Sequence, residues 1–219
     1  MKKLLSLIVI TSFMHSCTKD SPSALTVTDI DGNVYETVKI GNQIWMKENL
    51  RTSHYRNGDL IPNVRGNTDW TNLSTGAWCW PANDSTHFSR YGKYYNYYTV
   101  DDSRGLAPRG WHVASPSEWE ELANFLGGDS VAADKMKDTL AIYGWCSATN
   151  SSGFTALEAG IRGFDGEFSS VQHEAYWWNF NSLTSSSHSS LQYIYCADSK
   201  LYIYGALKNA GCSVRCIKD

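Results

Sequence analysis

Residues 110–128 read GWHVASPSEWEELANFLGG, and this stretch carries the clearest helix signal in the chain. Ser115 stands as an N-cap, Pro116 fits the first helical position, and Glu118, three residues after the serine, completes a capping box. Trp119, Leu122, Ala123 and Leu126 follow the i, i+3, i+4, i+7 spacing, so one face of the helix is expected to be buried. Gly127-Gly128 can supply the left-handed residue that stops it. Ahead of the helix, Trp111-His112-Val113 reads as a short strand. The stretch is scaffold rather than reactive machinery.

Working outward, residues 25–30 and 34–40 are β-rich runs around Asp31-Gly32, a hairpin signal, and Gly41-Asn42 turns into residues 43–46. Asp29, Asp31 and Asn33 resemble a calcium loop, but the glycine is misplaced and no closing glutamate follows at the twelfth position, so a turn is expected. Residues 51–84 read mostly as loop, with an aromatic cluster at Trp78-Cys79-Trp80. Residues 91–100, YGKYYNYYTV, keep neither a helical nor a strand period, which suggests a short buried helix or an irregular segment. Downstream, Asp129 can cap a second helix through Met136. Residues 154–157 and 160–168 follow, with a turn at Asp165-Gly166. A strand is expected over 175–179, a serine-rich loop over 182–190, a hairpin from 191–196 and 201–204, and a terminal strand over 212–217, partly buried around Arg215. Strands, then helices, then strands again imply an α+β fold with mainly antiparallel strands, a central capped helix and long loops.

The start of the chain is a targeting segment. Lys2-Lys3 precede an apolar run from Leu4 to Met14, and Cys17 follows His15-Ser16. That run is too short for a membrane-spanning helix, which needs roughly 20 residues, so residues 1–16 read as a signal peptide. A cysteine directly behind such a core resembles a bacterial lipobox, whose cysteine is acylated. Cys17 is therefore expected to carry the lipid, palmitate or a related acyl chain, with residues 17–24 as a polar tether and 25–219 as one domain. Removing Lys2 and Lys3 lowers the basic count from 19 to 17 against 22 acids, a formal charge of −5. There is no basic stripe, so nucleic acid is not expected as a partner. Cys79, Cys146, Cys196, Cys212 and Cys216 remain; in an exported chain disulfide bonds are plausible, their connectivity is open, and the odd count leaves at least one thiol outside any internal bridge.

Several segments in order resemble the Fibrobacter succinogenes major paralogous domain: DIDGNVYETVKIGNQIWMKENLRT (29–52), TGAWCW (75–80), YGKYYNYYTV (91–100), APRGWHVASPSEWEEL (107–122), ATNSSGFTAL (148–157), AYWWN (175–179) and GCSVRCIKD (211–219). The resemblance runs from about Thr28 to the last residue. It implies a lipoprotein of the kind frequent in Bacteroidetes, lipid-anchored in the cell envelope at the outer membrane with its domain exposed at the surface. It also implies a distant kinship with formylglycine-generating proteins and a C-type-lectin-like fold. The sequence departs from the family at Ala107, where a cysteine is usual, and at Cys212, where phenylalanine is usual. The family supplies no biochemical activity to carry over.

The chemistry is sparse. Cys212 and Cys216 are superficially like the copper-binding pair of the formylglycine-generating oxidases, but on an extended strand their Cα atoms would stand about 13 Å apart, too far for a shared metal or a disulfide. His54, His87, His112, His173 and His188 show no ligand spacing, so no metal is expected. No G-x-S-x-G elbow occurs, and neither a catalytic set nor a cofactor is expected. A binding module is the sharper reading: Trp80, Trp177, Asn179 and Asn181 offer aromatic faces beside side-chain amides, a combination that suits sugars. The alternative is that Tyr176 and Trp178, alternating along the strand, simply fill the core with Trp177 outward, and at least one of Trp177 and Trp178 is expected to be core. The expected partner is a polysaccharide, or alternatively an envelope or host protein.

Overall fold

The computed structural model describes residues 25–139, 147–183 and 185–219. In chain order the strands begin with β1 (Thr26–Thr28), β2 (Val34–Ile40), β3 (Gln43–Met46), β4 (Trp78–Cys79), β5 (Tyr94–Tyr95) and β6 (Trp111–Val113). They continue with β7 (Ile161–Arg162), β8 (Phe168–Ser169), β9 (Glu174–Leu183), β10 (His188–Tyr195), β11 (Leu201–Leu207) and β12 (Cys216–Lys218). The helices are α1 (Asn67–Thr71), α2 (Ser85–Phe88), α3 (Tyr97–Val100), α4 (Pro116–Phe125) and α5 (Asp129–Met136).

Two sheets organise these elements. The larger has the order β1-β2-β3-β12-β6, antiparallel throughout, so the last strand is inserted between β3 and β6. The other is the antiparallel meander β11-β10-β9, and two small hairpins, β4-β5 and β7-β8, complete the set. Among the described residues parallel pairing is confined to isolated bridges such as Asn63 with Trp78 and Trp177 with Ser213. This is the α+β, mainly antiparallel architecture that the order of elements implies.

The opening hairpin is the turn expected at Asp31-Gly32, and Asp29 pins it. Asp29 Oδ1 accepts the N–H groups of Asp31 and Asn33 at 3.0 and 2.9 Å, and Oδ2 accepts from Asn33 Nδ2 at 2.8 Å and Tyr35 Oη at 2.6 Å. Both carboxylate oxygens are spent on the turn. In α4 the Glu118 carboxylate accepts both the backbone N–H and the hydroxyl of Ser115, each at 2.7 Å. The buried face carries Trp119, Leu122 and Ala123. Trp119 packs its ring 4.9 Å from Trp45, 5.5 Å from Trp177 and 5.6 Å from Phe154. Gly127 and Gly128 end the helix at φ of 103° and 99°, backbone that a side chain would strain.

Two expectations need correction, and a third holds in part. The serine-rich segment is mostly hairpin: β9 runs on to Leu183 and β10 starts at His188, with a register shift between Ser189 and Leu191. Serines are tolerated in this buried strand because hydroxyls can be met across it, as Asn179 Nδ2 meets Ser190 Oγ at 2.9 Å. Residues 91–100 contain the short buried helix expected there, α3, preceded by the end of a 3-10 turn and by β5; buried on most sides, they need no amphipathic period. Arg215 is not partly but fully buried, and the terminal ladder starts only at Cys216, with Cys212 joined to Tyr95 by a single bridge.

Cys79, Cys212 and Cys216 are free thiols. Burial pushes those of Cys79 and Cys216 up to about 12 and that of Cys212 well above its ordinary value. The signal segment, Cys17, the tether and Cys146 lie outside the described residues.

Candidate functional site: an indole-walled groove

The groove is built from a short β unit and the turn that leaves it. Trp78 in β4 pairs with Tyr95 and donates its backbone N–H to Pro62 O at 2.9 Å, while Val64 N–H donates to Trp78 O at 3.0 Å. The Trp78 indole donates to Ile61 O at 2.9 Å. A wall of residues 62–65 is thereby laid along the strand. Beyond Trp80 the chain makes the 3-10 turn Pro81–Asn83, in which Ala82 and Asn83 sit at φ of 51° and 56°. Asn83 is clamped to the opposite wall, since its Nδ2 donates to Arg65 O at 2.9 Å and Arg65 Nη2 donates to Asn83 O at 3.1 Å. Asp84 then caps α2, accepting from the Thr86 and His87 N–H groups at 2.8 and 3.3 Å and touching His87 Nδ1 at 2.5 Å. The His87 contact leads the interactions that hold the Asp84 carboxyl below its usual range.

Between these walls lies an open cavity of about 530 Å³, lined by Asn63, Arg65, Trp78, Trp80, Asn83, Asp84, Ser85 and Thr86. The two indoles meet edge to face, centroids 5.9 Å apart at 86°. Both are half-buried, whereas Asn63, Arg65, Ser85 and Thr86 are exposed. The arrangement offers indole surface beside amide and hydroxyl groups.

Two buried cations set the walls, and neither stands out in the sequence. Lys93 is only 4 % exposed; its Nζ lies 3.6 Å from the Trp78 ring centroid and 5.2 Å from that of Trp80, and it donates to Ser53 Oγ at 2.5 Å. Burial pulls its pKa down to about 8, against the opposing pull of Asp31 and Asp29. Arg162 in β7 donates from Nη1 to Val64 O, from Nη2 to Arg65 O and from Nε to Gly166 O, each at 2.8 Å, and lies over Trp70 at 4.4 Å. It therefore ties the 62–65 wall to the β7–β8 hairpin. A lysine inside a tyrosine-rich block is the single sequence cue to the first of these. Arg162 has none, because the wall carbonyls it holds, Val64 O and Arg65 O, lie about a hundred residues away in the chain.

The structure separates the site residues expected from sequence. Trp80 lines the groove, and Trp177, Asn179 and Asn181 do not. Trp177 is fully buried, donating its indole N–H to Asn49 Oδ1 at 2.8 Å, so the reading of an outward ring is corrected. Trp178 is buried as well and donates to Tyr95 O at 2.8 Å; with both rings apolar-packed, β9 presents neither indole to a ligand. Asn179 is buried against Ser190, while Asn181 is exposed at φ 54°. Cys212 and Cys216 are interior thiols in separate strand pairings, with Tyr95 and Val113 respectively.

The sequence profile of the Fibrobacter succinogenes major domain matches residues 38–218. The chain belongs to that family. In this member of the Fibrobacter succinogenes major domain family the match covers both groove walls, both buried arginines and the capped helix, and begins inside β2. Neither a curated protein nor a solved structure matches the chain.

Proposed function

We propose that this Fibrobacter succinogenes major domain protein is an envelope lipoprotein, acylated at Cys17 and exposed at the outer-membrane surface. Its domain, C-type-lectin-like in fold, acts as a non-catalytic module that binds a glycan or polysaccharide. The observation that carries the reading is the groove itself, an open cavity whose Trp78 and Trp80 indoles adjoin Asn63, Asn83, Ser85 and Thr86. Sugars offer C–H faces to rings and hydroxyls to amides, so both halves of such a ligand are met. The disulfide expected of an exported chain falls to Cys196, since Cys79, Cys212 and Cys216 are free thiols.

The test is retention of the full-length protein, in detergent, on plant, host and bacterial polysaccharides. Loss of a ring contact worth about 0.5–1.5 kcal/mol predicts roughly twofold to tenfold weaker binding for Trp80→Ala, with a much smaller loss of melting temperature than a core truncation causes. Trp177→Ala should instead lose stability, as a core truncation. Equal retention by wild type and Trp80→Ala, or no retention of any polysaccharide, would remove the groove as the binding site and favour a protein-binding, adhesin-type role. Turnover of any glycan by the wild type would remove the non-catalytic reading.

A further inference from the structure

We infer that the free edge of β11 is the seam of a two-fold dimer of this chain, in which β11 pairs antiparallel with β11 of a second copy about Ile203. Among the described residues β11 has a strand partner on one side only, β10, in an unbroken register from Ser189↔Ala206 to Ile194↔Leu201. The strand reads LYIYGAL, with no charge and no proline. Edge strands are ordinarily guarded by lysine, proline, a bulge or short length, and this one has none of those guards. It exposes Ile203 at 68 % and Tyr204 at 59 %.

A row of rings points to what covers the edge. Tyr176 stacks on Tyr193 at 5.4 Å and 19°, and Tyr193 on Tyr202 at 4.8 Å and 15°, so the row crosses the sheet from β9 and stops at β11. Tyr204 meets Tyr193 edge-on at 6.3 Å. With the two-fold at Ile203, Tyr202 lies opposite Tyr204 of the second copy and Leu201 opposite its Gly205. The ring row then continues across the seam, where aromatic cross-strand pairs add stability. The strand itself, Leu201–Leu207, carries no charge that would oppose its own copy in this pairing. Such a contact uses one patch twice and closes on itself, which suits a dimer rather than a filament.

The experiment uses the full-length protein in detergent. Antiparallel Cα atoms on the axis would be about 4.5–5.5 Å apart, within disulfide reach. Ile203→Cys should therefore cross-link to a dimer on mild oxidation, faster than Val131→Cys, an exposed position on α5. Sedimentation should show a dimer for the wild type, and Ile203→Lys should shift it to monomer with its melting temperature kept. A wild type that sediments as a monomer at every concentration overturns the proposal. So does Ile203→Lys remaining a dimer, or Ile203→Cys cross-linking no faster than Val131→Cys.

Discussion

Arg162 and Arg215 show how single residues hold this fold. Both are completely enclosed, where an unpaired charge would cost several kcal/mol, and both are answered mainly by backbone oxygens. Arg215 Nη1 donates to Met46 O at 2.9 Å and Phe154 O at 2.7 Å, while its Nε and Nη2 reach Asn49 Oδ1 at 3.1 and 3.0 Å. Asn49 Oδ1 also receives the Trp177 indole, so one amide joins the central helix cluster to the last segment. A lysine cannot reproduce a planar fork. Arg162→Lys should leave at least one buried carbonyl unmet and cost about 1–3 kcal/mol, read from urea denaturation; an unchanged midpoint would show that the fork does not hold the groove wall. Trp119 is the apolar counterpart. It is 0 % exposed and sits among Trp45, Trp177 and Phe154, so Trp119→Ala should cost about 3–5 kcal/mol. Ser115→Ala, which removes part of a cap, should cost about 1 kcal/mol. A thermal melt that ranks them the other way would mean the cap, not the ring, anchors α4.

At the scale of elements, α4 is legible in sequence because its cap, its apolar spacing and its glycine stop are all local. The β2–β3 meander is legible for the same reason. The edges of β9 and β10 are not, because serine content speaks for loop until the partner strand is known. The Trp80 groove is half legible: the aromatic cluster is visible, whereas the walls depend on Lys93 and Arg162 meeting residues distant in sequence. One junction between elements has a pH signature. His112 in β6 contacts Glu118 Oε1 of α4 through Nε2 at 2.6 Å and Asp219 Oδ1 through Nδ1 at 2.7 Å. Partial burial works to lower its pKa, but the bonds to Asp219 and Glu118 outweigh it and raise it. For Glu118, burial works upward and is outweighed by the Ser115 N–H and hydroxyl and by His112, so its pKa falls. The histidine's contribution is then full below its unfolded value of about 6.5 and is lost as pH rises through its higher folded value. The glutamate's contribution is present above its unfolded value of about 4.3 and is lost as pH falls through its lower folded value. Hence the melting-temperature gap between wild type and His112→Gln should be widest between about pH 4.5 and 6.5 and should narrow toward alkaline pH. A gap that widens above neutrality would mean His112 acts as a neutral packing residue.

At the scale of the whole molecule, the fold is closed by its ends. β12 enters between β3 and β6, and Asp219 N–H donates to Gly110 O at 3.1 Å, so the C-terminus is integrated into the first sheet. In the proposed lipoprotein, residues 17–24 are the reach between the lipid at Cys17 and the domain, whose β1 lies on the same sheet. Eight extended residues span at most about 26–29 Å, enough to clear a headgroup layer but not to roam far from it. Among the described residues no helix is long and apolar enough to cross a membrane. The membrane attachment proposed above is through Cys17, behind Lys2-Lys3 and the apolar run that ends at Met14. Two consequences separate anchoring from folding. Cells fed a palmitate analogue should label the wild type and not Cys17→Ala, and the wild type should fractionate with membranes while Cys17→Ala does not. The purified variant should nevertheless melt at the wild-type temperature, because the groove, the capped helix and both sheets lie beyond the tether. Equal labelling of the two proteins would sink the lipoprotein assignment. Loss of folding in Cys17→Ala would instead make the N-terminal segment part of the domain.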